Sequence, residues 1–480
     1  MDGGARVPCP LRAEAMASPG APAVVGAAGT LTYGELDNRV TLAAQEIEEH
    51  GLRAGARVAL YLPKDERYLV LLLALIRAGC VACPLSTRLP PGGASPLLER
   101  AACRALISSD EDLLEAASLQ KLRPESLLAD EPARGYRRPS GPLHLALEQP
   151  ATIVSTSGST GAPKAALHTI GNHYYNALGS NANIALERGD RWLHSLPLYH
   201  VGGLAILFRC LFAGATVALP EPGAPLGEAL AGATHASLVA TQLSRLLGEE
   251  GPDPTGLRAI LLGGGQIPTP LIDEAIARGL PIHTSYGLTE TASQVTATPP
   301  GASRRELRTS GRPLAHREIS IARDGEILVR GRTLFVGYVM GDTVERPLDA
   351  DGWFHTGDLG ELDANGYLHV RGRRDNLFIS GGENIQPEEI EEALCRLEGV
   401  EEAVVVPVPD AEFGFRPVAF VRPAAAEPED LALALEQTLP RFKIPVSFHG
   451  WPEGDEAMKV DRTSFSERAR RLRGENRNPL

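Results

Sequence analysis

The stretch from Ile153 to Ala166 reads IVSTSGSTGAPKAA. An apolar run suited to a buried strand passes into serine, threonine and glycine, then into a Pro-Lys pair. The pattern predicts a helix starting near Ala165. Glycines let backbone N–H groups turn toward an anion, hydroxyls add donors, and a helix start adds its positive end. The segment therefore reads as a phosphate-cradling loop. It is not a GxxxxGK(S/T) loop, because that spacing is missing. A merely Ser/Gly-rich surface loop would need neither the strand before it nor Lys164 after it.

On both sides of this segment, strand and helix patterns alternate. Thr32, followed three residues later by Glu35, is a capping signal, and Leu36, Val40, Ala43, Ala44 and Ile47 recur at helical spacing. RVALYL (57–62) reads as a buried strand, 65–78 as a helix, and VACPL, ATVAL (215–219) and RAILL (258–262) as further strands. Such alternation predicts α/β layers with largely parallel sheets. Near residue 310 the character changes. GEILVRG, GWFHTGDLGEL and GYLHVRGR are short strands between Gly and Asp turns, the pattern of a small antiparallel β region. After Arg374 a compact α+β unit follows: helix 386–398, strands 402–407 and 417–422, helix 428–439 and a tail. The expected fold is thus a large N-terminal α/β domain, residues 1–372, of layered sheets with helices plus a small β region. A smaller, mobile α+β domain, 373–480, follows it. Residues 104–139 carry no assignable pattern.

The chain has 480 residues, enough for two or three domains. With 43% apolar and 22% charged residues it has the make-up of a globular protein, not a disordered one. A net charge of −13 argues against a nucleic-acid partner. It suits an enzyme that gathers positive charge only where an anionic substrate sits. Lysine is scarce, with Lys64, Lys121, Lys164, Lys443 and Lys459 making the full set. Six cysteines in a chain this long make no disulfide framework, and Cys80/Cys83 lack a second pair or histidines for a metal. No apolar run reaches the roughly 18 residues of a membrane span, and the N-terminus lacks a secretory pattern. The expectation is a cytoplasmic protein, possible as a homo-oligomer.

Seven motifs occur in order: LTYGEL (31–36), TSGSTGAPK (156–164), LPLYHVGG (196–203), LLGGG (261–265), SYGLTE (285–290), GWFHTGDLG (352–360) and GRRDNLFISGGENIQPEEIE (372–391). Together they resemble the adenylate-forming superfamily of acyl-CoA synthetases, peptide-synthetase adenylation domains and beetle luciferases, over nearly the whole chain. The resemblance implies an ATP-dependent acid–thiol ligase using ATP, Mg2+ and CoA. A carboxylate attacks the α-phosphate, and CoA then takes the acyl group. Thr156, Ser157, Gly158, Ser159, Thr160, Gly161 and Lys164 match the family's phosphate loop. Thr289 matches its α-phosphate contact and Glu290 its Mg2+ carboxylate. Gly263, Gly264 and Gly265 match the adenine-stacking backbone, with Tyr286 and Gly287 across from it; a tight strand-to-helix turn at the same glycines is compatible with that role. Asp358 matches the ribose acceptor, Arg373 a ribose or phosphate contact, and Asp375 the hinge. Gly381 and Gly382 lie in the loop that matches the CoA-side loop. Lys459 in EAMKVDR matches the catalytic lysine, although Met458 stands where glycine is usual, as Ala165 does after the Pro-Lys pair.

Three stretches point to the acid. TIGNHYYNALGSNANIAL (169–186), LPLYHVGGLAILFRCLFAGA (196–215) and SYGLTETASQV (285–295) resemble o-succinylbenzoate–CoA ligases of menaquinone biosynthesis. Tyr199 and His200 stand where amino-acid-activating relatives carry a carboxylate, which disfavours an α-amino acid. Arg209 falls inside an otherwise apolar helix, 205–212, where an ion is costly unless paired. It is either the cation for a second substrate carboxylate or half of a structural ion pair. His200, Thr291, Ser293 and Gln294 would line the acyl pocket. Another aryl or medium-chain acid, and a nucleotide-binding homologue without ligase activity, are the competing readings.

Overall fold

The computed structural model describes residues 4–88, 91–116, 118–128, 141–156, 164–249, 256–381, 383–410, 412–423, 428–452 and 461–475. Two large sheets carry the first two thirds of the chain. The eight-stranded sheet has Arg57–Tyr61 paired in parallel with Val81–Pro84 on one side and Ala105–Ser108 on the other. Beyond Val81–Pro84 it continues through Pro150–Thr156, Lys164–Thr169, Gly337–Met340 and Thr343–Glu345. The nine-stranded sheet has a parallel centre that includes His235–Leu238, Ala259–Leu262 and Ile282–Leu288, with an antiparallel edge at Ser293–Ala297.

Helices Tyr33–Glu49, Glu66–Arg77 and Val201–Ala213 pack into one core cluster with residues from both sheets, among them Val58, Leu60, Val24, Val217 and Trp192. The first of these helices starts on the Thr32/Glu35 capping box read from sequence. The second is capped by Asp65, whose side chain accepts from the Tyr68 amide at 3.0 Å. All of Tyr68 to Ile76 is buried. At roughly 1.5–3 kcal/mol per large apolar side chain, that run alone commits the helix to the interior.

GEILVRG, GWFHTGDLGEL and GYLHVRGR supply three strands of a four-stranded antiparallel sheet, joined by Arg317–Ile321. From Phe378 onward a five-stranded sheet with helices Pro387–Cys395 and Arg462–Glu475 builds two hydrophobic clusters. Their buried residues all lie between 378 and 469. Contacts back to the rest of the chain include polar ones: Glu392 with Gln266 at 3.5 Å and Thr269 at 3.4 Å, and Arg374 with Asp324 at 3.2 Å.

One local expectation is overturned. Lys164–Thr169 is a strand, and the helix begins only at Ile170, behind a Thr169/Asn172 capping box. The strand pairs antiparallel with Pro150–Thr156 on one side and Gly337–Met340 on the other. Two ladders outweigh the weak local helix preference of AALHT. The expected phosphate segment is consequently followed by a strand paired with the one before it, and no helix starts at Ala165. Residues 104–139, left without a pattern, contribute strands Ala105–Ser108 and Gln120–Leu122 to the sheet edge. All six cysteines are free and buried, and burial pushes the Cys80 thiol up to about 11. Among the described residues no helix is long and apolar enough to cross a membrane.

Candidate active site

Thr156 and Lys164 face each other across the hairpin register. The Lys164 ammonium lies over the Tyr338 ring, 4.8 Å from its centroid. On the other end of that ring, the Tyr338 hydroxyl donates to Glu290 Oε1 at 2.6 Å. Burial first, then the Glu290 charge, pushes the Tyr338 phenol up, so it stays a donor. Thr289, Glu290 and Thr291 form a 3-10 turn after the strand Ile282–Leu288. Bonds from outside hold this turn at each residue: the Phe335 amide donates to the Glu290 carbonyl at 2.7 Å, Asn176 Nδ2 donates to the Thr291 carbonyl at 3.3 Å, and His168 Nε2 lies 2.7 Å from the Thr289 carbonyl. A carbonyl only accepts, so His168 carries its proton on Nε2. Burial lowers its pKa to about 4, which keeps the ring neutral. His168 sits 5.6 Å from His173, which stacks on Phe208 of the helix carrying Arg209.

Asp358 and Arg373 are register partners on adjacent strands, bonded at 2.9 Å. The second Asp358 oxygen accepts from the Tyr286 hydroxyl at 2.7 Å. Burial and then Asp358 push that phenol up. Tyr286, Asp358 and Arg373 are therefore one bonded group. Gly263, Gly264 and Gly265 follow the strand Ala259–Leu262. Gly264 has φ +86°, and a Cβ there would stand 3.0 Å from Val239 Cγ1. Beside Gly265 there is open space within 4 Å, so a flat ring meets no side chain there. Gly287 serves the backbone instead: a Cβ would lie 2.1 Å from the Ser293 carbonyl oxygen, across a bulge in the strand pair. Asp375 is half exposed and 3.6 Å from Arg373, just past the strand Leu368–Arg373.

Of the residues expected on the acid side, Arg209 is 1% exposed. Its guanidinium bonds Gln294 Oε1 and lies over the Trp192 ring, 5.0 Å from the centroid. Among the described residues no carboxylate comes within 4.0 Å of it, and its Nε has no partner. Burial lowers its pKa to about 10. A second buried cation, Arg317, bonds the Gln294, Ala315 and Asn176 carbonyls at 2.7, 2.8 and 3.2 Å. Burial and then Arg209 lower its pKa to about 9. Ala292 and Ser293, next to Gln294, both take positive φ, 55° and 125°. For residues other than glycine that costs about 1–3 kcal/mol each, and such strain gathers at functional sites. Thr291 turns its hydroxyl onto the Leu288 and Ser293 carbonyls, both at 3.0 Å, and is fully buried. His200 is exposed and stands at the N-terminal end of the helix Val201–Ala213.

Ser157, Gly158, Ser159, Thr160, Gly161, Lys459 and Gly382 lie outside the described residues. Gly381 has φ +57°, and a Cβ there would stand 2.8 Å from Phe413 Cδ1.

The family described as AMP-binding enzyme matches residues 11–339, and its C-terminal domain matches 389–453. The chain belongs to the AMP-binding enzyme family. The chain is an AMP-forming acid–thiol ligase. Among the relatives, a 2-succinylbenzoate–CoA ligase of Bacillus licheniformis is 34% identical over 92% of this chain and 95% of that protein. One from Bacillus velezensis is 35% identical over 87% of this chain and 88% of that protein. Two solved structures of o-succinylbenzoate CoA synthetase (MenE) from Bacillus subtilis superpose with a TM-score of 0.85. One, with the acyl-adenylate intermediate OSB-AMP, is 31% identical over 99% of both chains. The other, with ATP and a magnesium ion, is 32% identical over 93% of this chain and 96% of that one.

Family membership makes a divalent ion part of the chemistry, and the donor set can be checked against it. Among the described residues no group of three or more His, Cys, Asp and Glu could hold a metal. Glu290 offers one hard carboxylate. An ion that keeps few protein ligands and takes the rest from phosphate oxygens and water fits such a donor set, which is the habit of Mg2+. The sequence reading missed Tyr338, His168, Trp192 and Arg317. None carries a local mark, since each joins the site through a residue outside its own element, from Trp192 under Arg209 on the next helix to Arg317 on the Asn176 carbonyl, 141 residues away.

Proposed function

We propose that the chain activates 2-succinylbenzoate with ATP, releasing pyrophosphate, and passes the acyl group from AMP to CoA, the thioester-forming step of menaquinone biosynthesis. The observation that carries the substrate is Arg209, a buried guanidinium with no carboxylate partner among the described residues. A dicarboxylate supplies one group to react and one to meet that cation. A simple benzoate leaves the charge buried and unmet.

Both the acid and the triphosphate are anions, so their approach needs positive charge. Lys164 supplies it at the hairpin, and Lys459 is assigned to the reacting carboxylate and α-phosphate. Glu290 would hold Mg2+, which supplies charge neutralisation on the phosphate oxygens when bound. Thr289 is assigned to the α-phosphate, with His168 fixing its backbone. Asp358 accepts from the ribose hydroxyls in place of Tyr286 or Arg373, and Gly263 to Gly265 leave the adenine a flat floor. Residues 373–480 are assigned as a mobile domain turning near Asp375, which brings Gly381 and Gly382 to the CoA side for the second step. The reaction is assigned to the cytoplasm, where ATP and CoA are held. Acid-dependent pyrophosphate release with a panel of acids tests the reading. 2-Succinylbenzoate should exceed benzoate and octanoate in kcat/KM by at least tenfold, and a preference for either of the others would overturn it.

A further inference from the structure

Among the described residues neither Lys164 nor Glu290 has an ion-pair partner, although both meet the same side chain, Tyr338. Opposite charges in a half-buried setting attract one another. No Lys164–Glu290 contact within 4.0 Å is present, and Tyr338 stands between them. Its ring takes the ammonium on one face, an arrangement worth little less than an exposed ion pair. Its hydroxyl takes one carboxylate oxygen, leaving the other without an anchor from this side chain. Tyr338 is itself well fixed. It is 8% exposed, packs edge-on against Phe335 at 4.8 Å, and pairs in register with Ala166, two residues beyond Lys164. Phe335 in turn bonds the Glu290 backbone. One short segment, 335–338, thus frames both charges.

We propose that Tyr338 is a positioning residue that stops Lys164 and Glu290 from neutralising each other, so that the lysine stays available to phosphate and the carboxylate to Mg2+. This rests on the reading of Glu290 as the Mg2+ carboxylate. The two halves of the side chain act separately: the ring serves Lys164 and therefore ATP itself, while the hydroxyl serves Glu290 and therefore the metal-dependent part of ATP binding.

The test is calorimetric titration of ATP into the full chain, with and without Mg2+, needing neither acid nor turnover. In Tyr338→Phe the ring remains, so metal-free ATP affinity should stay within twofold of the parent. The gain in affinity on adding Mg2+ should shrink about tenfold, the scale of a hydrogen bond to a charged group. In Tyr338→Leu metal-free affinity should fall as well. Glu290→Gln should lose the Mg2+ gain by itself, and adding Tyr338→Phe to it should change nothing further. An undiminished Mg2+ gain in Tyr338→Phe overturns the inference, as does an equal loss with and without metal, which is what a purely structural role gives. If Glu290→Gln keeps the Mg2+ gain, the reading of Glu290 has failed and the inference falls with it. Failure of the phenol variant alone leaves that reading standing.

Discussion

Replacing Arg209 by methionine separates a substrate cation from a structural one. Burial lowers the guanidinium pKa to about 10, and a fall of that size costs the charged form about 3 kcal/mol. Within the described residues the cation recovers little of this, having one carboxamide oxygen and the Trp192 face as partners. Methionine fills a similar volume without charge, and exchanges of this kind are neutral or stabilising. Against that, Gln294 Oε1 loses its donor, at about 1–3 kcal/mol. The melting temperature should therefore stay level or rise. The substrate side behaves oppositely. A charge-assisted bond to a carboxylate is worth about 1.5–3 kcal/mol, so KM for 2-succinylbenzoate should rise roughly 10- to 100-fold. Benzoate, lacking the second carboxylate, should lose nothing. The assay is initial-rate pyrophosphate release with each acid, paired with a thermal melt. An unchanged KM for the dicarboxylate, or a parallel loss with benzoate and a lowered melting temperature, would refute the reasoning.

Asp358→Ala removes the acceptor shared by Tyr286 and Arg373 and should weaken ATP binding by roughly 10-fold or more, since a bond to a charged group is lost; affinity within twofold of the parent would remove the ribose assignment. Arg374→Ala frees the start of the unit 373–480 from Asp324 and Glu326, and should alter thioester formation several-fold while leaving acid-dependent pyrophosphate exchange unchanged. Equal changes in both half-reactions would speak against a hinge there. Acid should destabilise the fold before most carboxylates titrate. His168 and His194 are held to about 4 and about 3, and His173 well below its ordinary value, chiefly by burial. Folded values lie below the unfolded value of about 6.5, so the unfolded chain takes up protons the folded one refuses. Stability is full above about pH 6.5 and falls toward pH 4, by up to about 1.4 kcal/mol per pH unit for each ring. Urea midpoints at pH 7 and pH 5 check this, and equal midpoints would contradict it.

Much of the architecture is legible because its signals are local. The Thr32/Glu35 box, the Asp65 cap before an apolar run, and Gly/Asp turns between short strands each act within a few residues. Lys164–Thr169 does not announce itself as a strand because one of its two partners, Gly337–Met340, lies some 170 residues away and leaves no trace in AALHT. Ala105–Ser108 and Gln120–Leu122 are too short to show a period. The site divides in the same way. Glycines, HTGD and YGLTE are marked by composition, whereas Tyr338 and His168 look like ordinary core residues until the sheet brings them to Glu290 and Thr289. Strain at Ala292 and Ser293 carries no glycine to announce it.

Underlying all of this is the claim that lysine charge lets a carboxylate reach the α-phosphate. Pyrophosphate exchange driven by 2-succinylbenzoate in Lys459→Ala measures that most directly. Loss of one preorganised charge at the reacting centre should slow exchange by about 10²- to 10³-fold. Exchange at the parent rate would contradict the account.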